Sequence, residues 1–415
     1  MTDLPAPTAA PKLRLWPILA ALVLGLLLGV LAHGRVADGS PVVEAARLVG
    51  SLWLNALRLT LVPLVFSLVV TGVAAAVSSH VGGRLGRRIA LSFVALLLLS
   101  AVLAALLGPL LLDLGPSPDL ALAPTARVEV PAATAWILGL VPPNLVNAAA
   151  EGAIVPVVLF ALVFALAAVK LGHEAAPVLG FFKALAAVMI RLVQWVLVLA
   201  PLGIFGLAFV LGATTGLGAG AFIGWYVVVQ IAVTLTLAAL MIPLALRSGV
   251  RLSAFAREAA QPLAIAASTQ SSLAALPAMV TAAARLGLPE RSAGVVLPLA
   301  VALFRIAAPA SIVIVTLALA RLAQVELGLL QVAVIIGLAT LNTLVIAGLP
   351  NQITFFAAYA PPALAVGVPI ELLPIFLAID AIPDMFYTVT NVTADLAVTS
   401  FVSRDAAEGP EEATS

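Results

Sequence analysis

The sequence predicts an all-α polytopic membrane protein of eight transmembrane helices and two re-entrant helical hairpins. Its 415 residues are 63% hydrophobic and 9% charged, with a mean hydropathy of +1.21, well outside the range of soluble domains. Apolar runs of about twenty residues or more, enough to cross a bilayer core, recur along the chain. Two further apolar runs start and end on one side around a polar, helix-breaking centre, the pattern of a re-entrant hairpin. Composition also excludes classes. The net charge of +1 says nothing about nucleic acid, but there is no basic stripe, and no nucleic-acid partner is expected. With no Cys there is no disulfide, Cys metal site or thiol chemistry.

A polar tail, 1–13, precedes the first apolar run, which follows Lys12 and Arg14. The run reads as a retained span, because Leu31-Ala32-His33-Gly34 is a poor cleavage site and the run is long for a signal peptide. Spans are expected at 14–33, 45–77, 88–112, 132–169, 178–212 and 221–246. Several must tilt or break, and Pro142-Pro143 with Pro156 interrupts the fourth. Lys12 and Arg14, then Arg84, Arg87 and Arg88, then Lys170 and Lys183, then Arg247, Arg251 and Arg257 fall on alternate connections. That is the positive-inside pattern for a cytoplasmic amino terminus.

The carboxyl-terminal half departs from simple alternation. Glu258 to Arg285 begins and ends at cytoplasmic charge and carries Ser268-Thr269-Gln270-Ser271-Ser272 at its middle. A span from Ser292 to Ala320 follows. Leu327 to Ile370 then begins and ends outside, around Ala347-Gly348-Leu349-Pro350-Asn351-Gln352. A last span, Leu372 to Val402, returns inward to Arg404 and a cytoplasmic tail, 405–415. Two broken hairpins entering from opposite sides, each followed by a full helix, make an inverted repeat and point to a binding site near the midplane.

That last span carries the strongest functional signal. Read as one helix, it places Asp380, Asp384, Thr388, Asn391 and Asp395 within a stripe roughly 80° wide. Membrane-buried carboxylates are costly and persist where they handle ions, protons or a ligand. Arg305 is the one positive charge well inside the last two full spans, opposite these acids. Arg58, Lys183 and Arg191 read as snorkelling or interface residues. His33, His80 and His173 fall at span ends, which argues against a histidine relay or metal site. Trp16, Trp53, Trp136 and Trp195 read as interfacial anchors.

The run from Ile379 through Asp380-Ala381-Ile382-Pro383-Asp384 to Asn391 and Asp395 resembles the last-helix motif of the dicarboxylate/amino acid:cation symporter family, the glutamate–aspartate transporters. Val62-Pro63-Leu64-Val65-Phe66-Ser67, Leu140 to Asn144, Val296-Leu297-Pro298-Leu299 and Ala347 to Pro350 resemble further motifs in the same order. The resemblance implies a homotrimer in the cytoplasmic (inner) membrane working by an elevator mechanism. In it, 14–77 and 132–212 form a scaffold, and 88–112 with 221–404 form a mobile transport domain.

Carried over residue by residue, the resemblance makes Asp384 the partner of a substrate ammonium and Asn391 that of its α-carboxylate, with Thr388 between them. Ser271 and Ser272 at the first tip, and Leu349, Pro350 and Asn351 at the second, complete the expected solute site. Tyr387 stands where members with acidic substrates have an Arg, and losing that guanidinium removes the bidentate partner of a second carboxylate. A small amine-bearing solute, a neutral amino acid, is therefore expected.

Asp395 matches a carboxylate that helps hold sodium, but Phe304-Arg305-Ile306-Ala307-Ala308 replaces a motif with an amide, a carboxylate and a hydroxyl. Hard cations need several oxygen ligands. Leu99 stands where a third-helix hydroxyl is expected, beside Ser100; Leu273 replaces a tip serine, and Asn351 and Ile353 replace glycines. Proton coupling or sodium independence is expected, with no cofactor and H+ or Na+ as the possible coupling ion. Arg305 could replace a bound sodium, pair with Asp380 or Asp384, or contact substrate. Alternatives are a sodium-coupled amino acid or dicarboxylate symporter and an uncoupled channel. An intramembrane protease is disfavoured, because its Gly-x-Gly-Asp element is absent and Asp380 and Asp384 share one segment; the chain is not expected to be an enzyme.

Overall fold

The computed structural model describes residues 15–37, 39–78, 83–116, 141–151, 153–345 and 351–407. Among them the regular elements are all helical. The first half comprises α1 (Leu15–Ala32), α2 (Pro41–Ser78), α3 (Gly83–Asp113), α4 (Leu145–Ala150), α5 (Ile154–Leu171), α6 (Ala176–Val198), α7 (Ala200–Thr215) and α8 (Leu217–Arg247). The second comprises α9 (Leu252–Thr269), α10 (Ser272–Arg285), α11 (Glu290–Leu303), α12 (Ala307–Leu322), α13 (Leu329–Val345), α14 (Asn351–Ala365), α15 (Leu373–Ile379) and α16 (Ala381–Ala407).

Length and composition give five spans among the described residues: Pro41–Ala74, Gly86–Asp113, Ile154–Val198, Gly220–Arg247 and Ser292–Leu322. The pair α15 and α16, bent by 67°, makes a sixth. Eight were expected; α1, α7, α10 and α13 are apolar but shorter.

Packing follows small residues and apolar faces. α1 lies along α7, and α2 contacts α5, α6 and α7. α3 packs on α12 and α13, while α16 packs on α8, α9 and α11. α9 and α10 lie against each other around Gln270, whose left-handed backbone (φ 52°) reverses the chain, and Ser271 caps α10 by accepting from the Ala274 N–H at 3.3 Å. The polar run at 268–272 is thus a turn between two helices. α13 and α14 pack as a second pair. Their connection, 346–350, holds Leu349 and Pro350 and lies outside the described residues.

Three runs read as single helices from hydropathy are broken. The segment 178–212 breaks at Leu199, 292–320 at Phe304-Arg305-Ile306, and 372–402 at Asp380. Each break precedes a proline in the first turn of the next helix: Pro201, Pro309 and Pro383. Proline has no N–H to donate four residues back, and its ring crowds that carbonyl, so each run restarts there.

Trp53 is no interfacial anchor: it is 5% exposed, donates to the Val196 carbonyl at 2.9 Å and meets Phe356 edge-on. Trp16 and Trp195 are exposed as expected, and Trp136 lies outside the described residues. Arg58 reaches Glu371 at 2.7 Å, linking α2 to the turn before α15.

Candidate functional site

The break between α11 and α12 is clamped from two sides. The Ser100 hydroxyl on α3 donates to the Ile306 carbonyl at 2.5 Å. The Asn391 side-chain oxygen on α16 accepts from the Ala307 N–H at 3.0 Å, capping the first turn of α12. Leu99 points away and is 45% exposed, so Ser100 is the third-helix hydroxyl at this place. Phe93 stacks on Phe304 at 4.7 Å and 17°, so apolar rings fill the surroundings of the position where the resemblance expects an amide.

Arg305 leaves this break and lines a small pocket with Ile312, Asn342, Thr343, Thr354 and Tyr359. It is half-buried and interacts electrostatically with Asp384 in the first turn of α16. Thr388 donates to the Asp384 carbonyl at 2.9 Å, and Thr388 and Asn391 are both buried. The amide of Gln270, at the first hairpin turn, donates to the Ala381 carbonyl at 2.9 Å. Ser271 and Ser272 are half-buried beside it, while Asn351 opens α14 and only its backbone is described.

Asp380, 1% exposed, occupies the bend between α15 and α16, where its carbonyl accepts from the Asp384 N–H at 2.9 Å, one helical turn before Asp384. Asp395 is fully buried, and its carboxylate oxygens accept no hydrogen bond from the described residues. No group of three or more His, Cys, Asp or Glu among the described residues could hold a metal.

Tyr387 belongs to a buried hydroxyl cluster. Its hydroxyl accepts from Ser311 at 3.0 Å, and Ser311 bonds the Tyr359 hydroxyl at 2.8 Å. The Gln230 amide donates to Tyr226 at 2.9 Å and to the Ser311 carbonyl and hydroxyl at 3.2 and 3.3 Å. All three tyrosines of the chain therefore meet at Ser311 and Gln230, in a cluster drawn from α8, α12, α14 and α16. Sequence reasoning missed Tyr226, Gln230, Ser311 and Tyr359. The usable signal was Gln230, an amide alone in the apolar run 221–246.

The Asn391 cap has a measurable consequence. Asn391→Ala leaves the buried Ala307 N–H unsatisfied and is expected to cost about 0.5–2 kcal/mol. Thermal unfolding in detergent should show a lower midpoint for Asn391→Ala, and Asn391→Asp, which keeps the acceptor, should lose less. Equal losses would remove the capping role.

Residues 15–405 match the family described as Sodium:dicarboxylate symporter family. The chain is 24% identical to the proton/sodium-glutamate symport protein of Bacillus subtilis (strain 168), covering 91% of this chain and 89% of that one. It is 27% identical to a C4-dicarboxylate transport protein of Anaeromyxobacter sp. (strain K), covering 93% and 88%. A C4-dicarboxylate transport protein 2 of Mesorhizobium japonicum is 24% identical over 93% and 88%. These relatives are transporters, not enzymes, and the match runs through every helix that builds the site. The chain is a multi-pass membrane protein and belongs to the sodium:dicarboxylate symporter family.

Proposed function

We propose that the chain is a secondary active transporter of the cytoplasmic membrane that moves a small zwitterionic solute, a neutral amino acid, coupled to protons or by exchange. The observation that carries this reading is Arg305, which lines the pocket and whose charge acts on Asp384: a guanidinium for a carboxylate and a carboxylate for an ammonium. One acid and one guanidinium complement a zwitterion, whereas a dianion would meet Asp384 with a single cation to offset it. Thr388, Asn391, Ser271, Ser272, Leu349, Pro350 and Asn351 complete the proposed site. Phe93 on Phe304 and the basic Arg305 support weak or absent sodium dependence, with Asp395 left as the residual candidate ligand.

In this proposal α1, α2 and α4–α7 are the scaffold, and α3 with α8–α16 moves against it in each protomer of a trimer. Both termini are cytoplasmic. The deciding experiment is uptake of a pooled solute panel into proteoliposomes under separate sodium and proton gradients. Strict dependence on sodium alone would defeat the coupling proposed.

A second reading has its own support: Arg305 lines the pocket, and relatives carry C4-dicarboxylate or glutamate in their names. Arg305→Met separates the two. Uptake of dicarboxylates falling at least tenfold, with neutral amino acids never transported by the unmodified protein, would favour this second reading.

A further inference from the structure

Two charges stand alone in long apolar stretches of the chain, and they meet. Arg58 is the single charged residue between Arg47 and Ala74 of α2, and Glu371 is the single one between Glu326 and Asp380. Arg58 Nη2 donates to Glu371 Oε1 at 2.7 Å, and among the described residues neither has another ion-pair partner. Arg58 lies inside the span Pro41–Ala74, about 16 Å past Arg47 and about 24 Å before Ala74 along the helix axis. That is beyond the reach of a snorkelling side chain. Its Nε is buried and makes no hydrogen bond among the described residues. A guanidinium within a span is costly unless a carboxylate accompanies it, and Glu371 is that carboxylate.

Glu371 is presented from a well-bonded turn. After α14 the Val368 N–H closes back on the Ala363 carbonyl at 2.9 Å, with Gly367 in the left-handed region at φ 75°. The Leu373 N–H then bonds the Ile370 carbonyl at 3.1 Å, and Val368, Ile370 and Leu373 are buried on either side of Glu371. α15 follows directly and packs on α1 and α7, neither of which carries a charge. On the other side, α2 is fixed to its own neighbours. Five residues before Arg58, Trp53 donates to the Val196 carbonyl of α6 at 2.9 Å, and its ring meets Phe356 of α14 edge-on with centroids 6.4 Å apart. The ion pair thus joins two bodies: α2 with the helices it packs on, and the α14–α15 turn that leads into the helix of Asp384.

We propose that Arg58 and Glu371 form a latch, which holds the site-bearing helices against the scaffold in the arrangement of this structure and releases when they move. The inference rests on the transporter reading above, in which α2 stays in place and α13–α16 slide past it. Sliding affects the contacts of this interface unequally. Apolar side chains and ring edges such as Trp53 on Phe356 exchange one neighbour for another as helices shear. The ion pair has no such substitute: carrying Glu371 away leaves Arg58 in an apolar span with its charge uncompensated. The bond therefore favours one arrangement over the other and raises the barrier to leaving it. The side chains are 36% and 57% exposed, which keeps the bond weak enough to break in every cycle. Removing both charges together leaves no lone ion behind, so the barrier falls without a new penalty.

The chain has no native Cys, so Arg58→Cys with Glu371→Cys introduces its only thiols. The full-length double variant is treated in detergent with a flexible bismethanethiosulfonate long enough to replace the two side chains. It is then reconstituted in liposomes loaded with an equimolar pool of L-alanine, L-serine, L-leucine, L-aspartate and succinate. Counterflow of the radiolabelled pool, per milligram of monodisperse protein, is expected to fall about tenfold on bridging and to return with dithiothreitol, while the two single-Cys variants do not respond. Arg58→Gln with Glu371→Gln should exchange about threefold faster than the unmodified protein, and the charge swap Arg58→Glu with Glu371→Arg should return to within about twofold of it. Bridged protein that exchanges normally overturns the latch, because the two positions then stay together throughout the cycle. A double-Cys variant that does not bridge also overturns it, and so does a Gln pair no faster than the unmodified protein, which leaves the ion pair as a static tether. In those cases the latch alone fails, since the unmodified protein still exchanges the pool. Absence of counterflow in the unmodified protein overturns the transporter reading and the latch together.

Discussion

Asp384→Asn is expected to lower solute uptake by about 30- to 10³-fold, because a charge-assisted hydrogen bond to an ammonium contributes roughly 2–4 kcal/mol in a desolvated site. The substitution keeps the shape of the side chain and removes its charge. It also leaves Arg305 without the carboxylate that interacts with it in the first turn of α16. Losing one partner of a buried pair destabilises by about 3–5 kcal/mol where the remaining charge cannot reach water. Arg305 is only half-buried and borders the pocket, which limits that penalty. Protein yield should therefore fall less than uptake, and counterflow per milligram of folded protein is the measurement that counts. Asp384→Asn transporting its solute at the wild-type rate would remove Asp384 from the binding role. A loss confined to yield, with normal specific activity, would leave it as a counter-ion to Arg305 only.

Asp384 was legible in the sequence because a carboxylate in a spanning run has few structural uses. The spans themselves were legible for the same reason that hydropathy works at all: a helix in lipid must satisfy its own backbone, so length and apolarity define it. The first hairpin turn showed itself too, since Gln270 and Ser271 lie in the one polar stretch of an apolar run. The breaks at Leu199, Arg305 and Asp380 were not seen, although Pro201, Pro309 and Pro383 announce each of them. An averaging window sees proline as one more uncharged residue, while the backbone meets it as a missing donor. Missing the last break mattered most. A single helix ran α15 straight on into α16, whereas the two are bent by 67° at Asp380. The tyrosine cluster itself lay beyond reach, because Tyr226, Ser311, Tyr359 and Tyr387 are far apart in the chain and come together only through tertiary packing.

Filling the glycine seam between α1 and α7 is expected to prevent the protein from folding. A β-carbon at Gly25 would sit 2.6 Å from the Phe205 carbonyl oxygen, and one at Gly212 would sit 2.6 Å from that of Leu26. At Gly206 it would sit 2.5 Å from the Ala46 carbonyl oxygen on α2. Each obstacle is backbone, which cannot rotate aside as a side-chain end does. Lipid tails are as apolar as leucine, so these helices gain little from simple burial and associate through close packing of small residues. Gly25 and Gly29 stand one turn apart on α1, so a larger group on either separates the same stretch of α7. Overpacking in an adaptable core costs about 1–3 kcal/mol, and an unyielding backbone on the far side puts these sites at or above the upper end. Two such substitutions rival a net stability of about 5–15 kcal/mol. Gly25→Leu with Gly212→Leu should abolish the monodisperse peak in size-exclusion chromatography. Gly224→Leu on α8, where a β-carbon meets nothing within 4 Å, should leave it intact. A normal peak from the double variant would mean that α1 and α7 are not held by their backbones' approach, and the scaffold role proposed for that pair would need another physical basis.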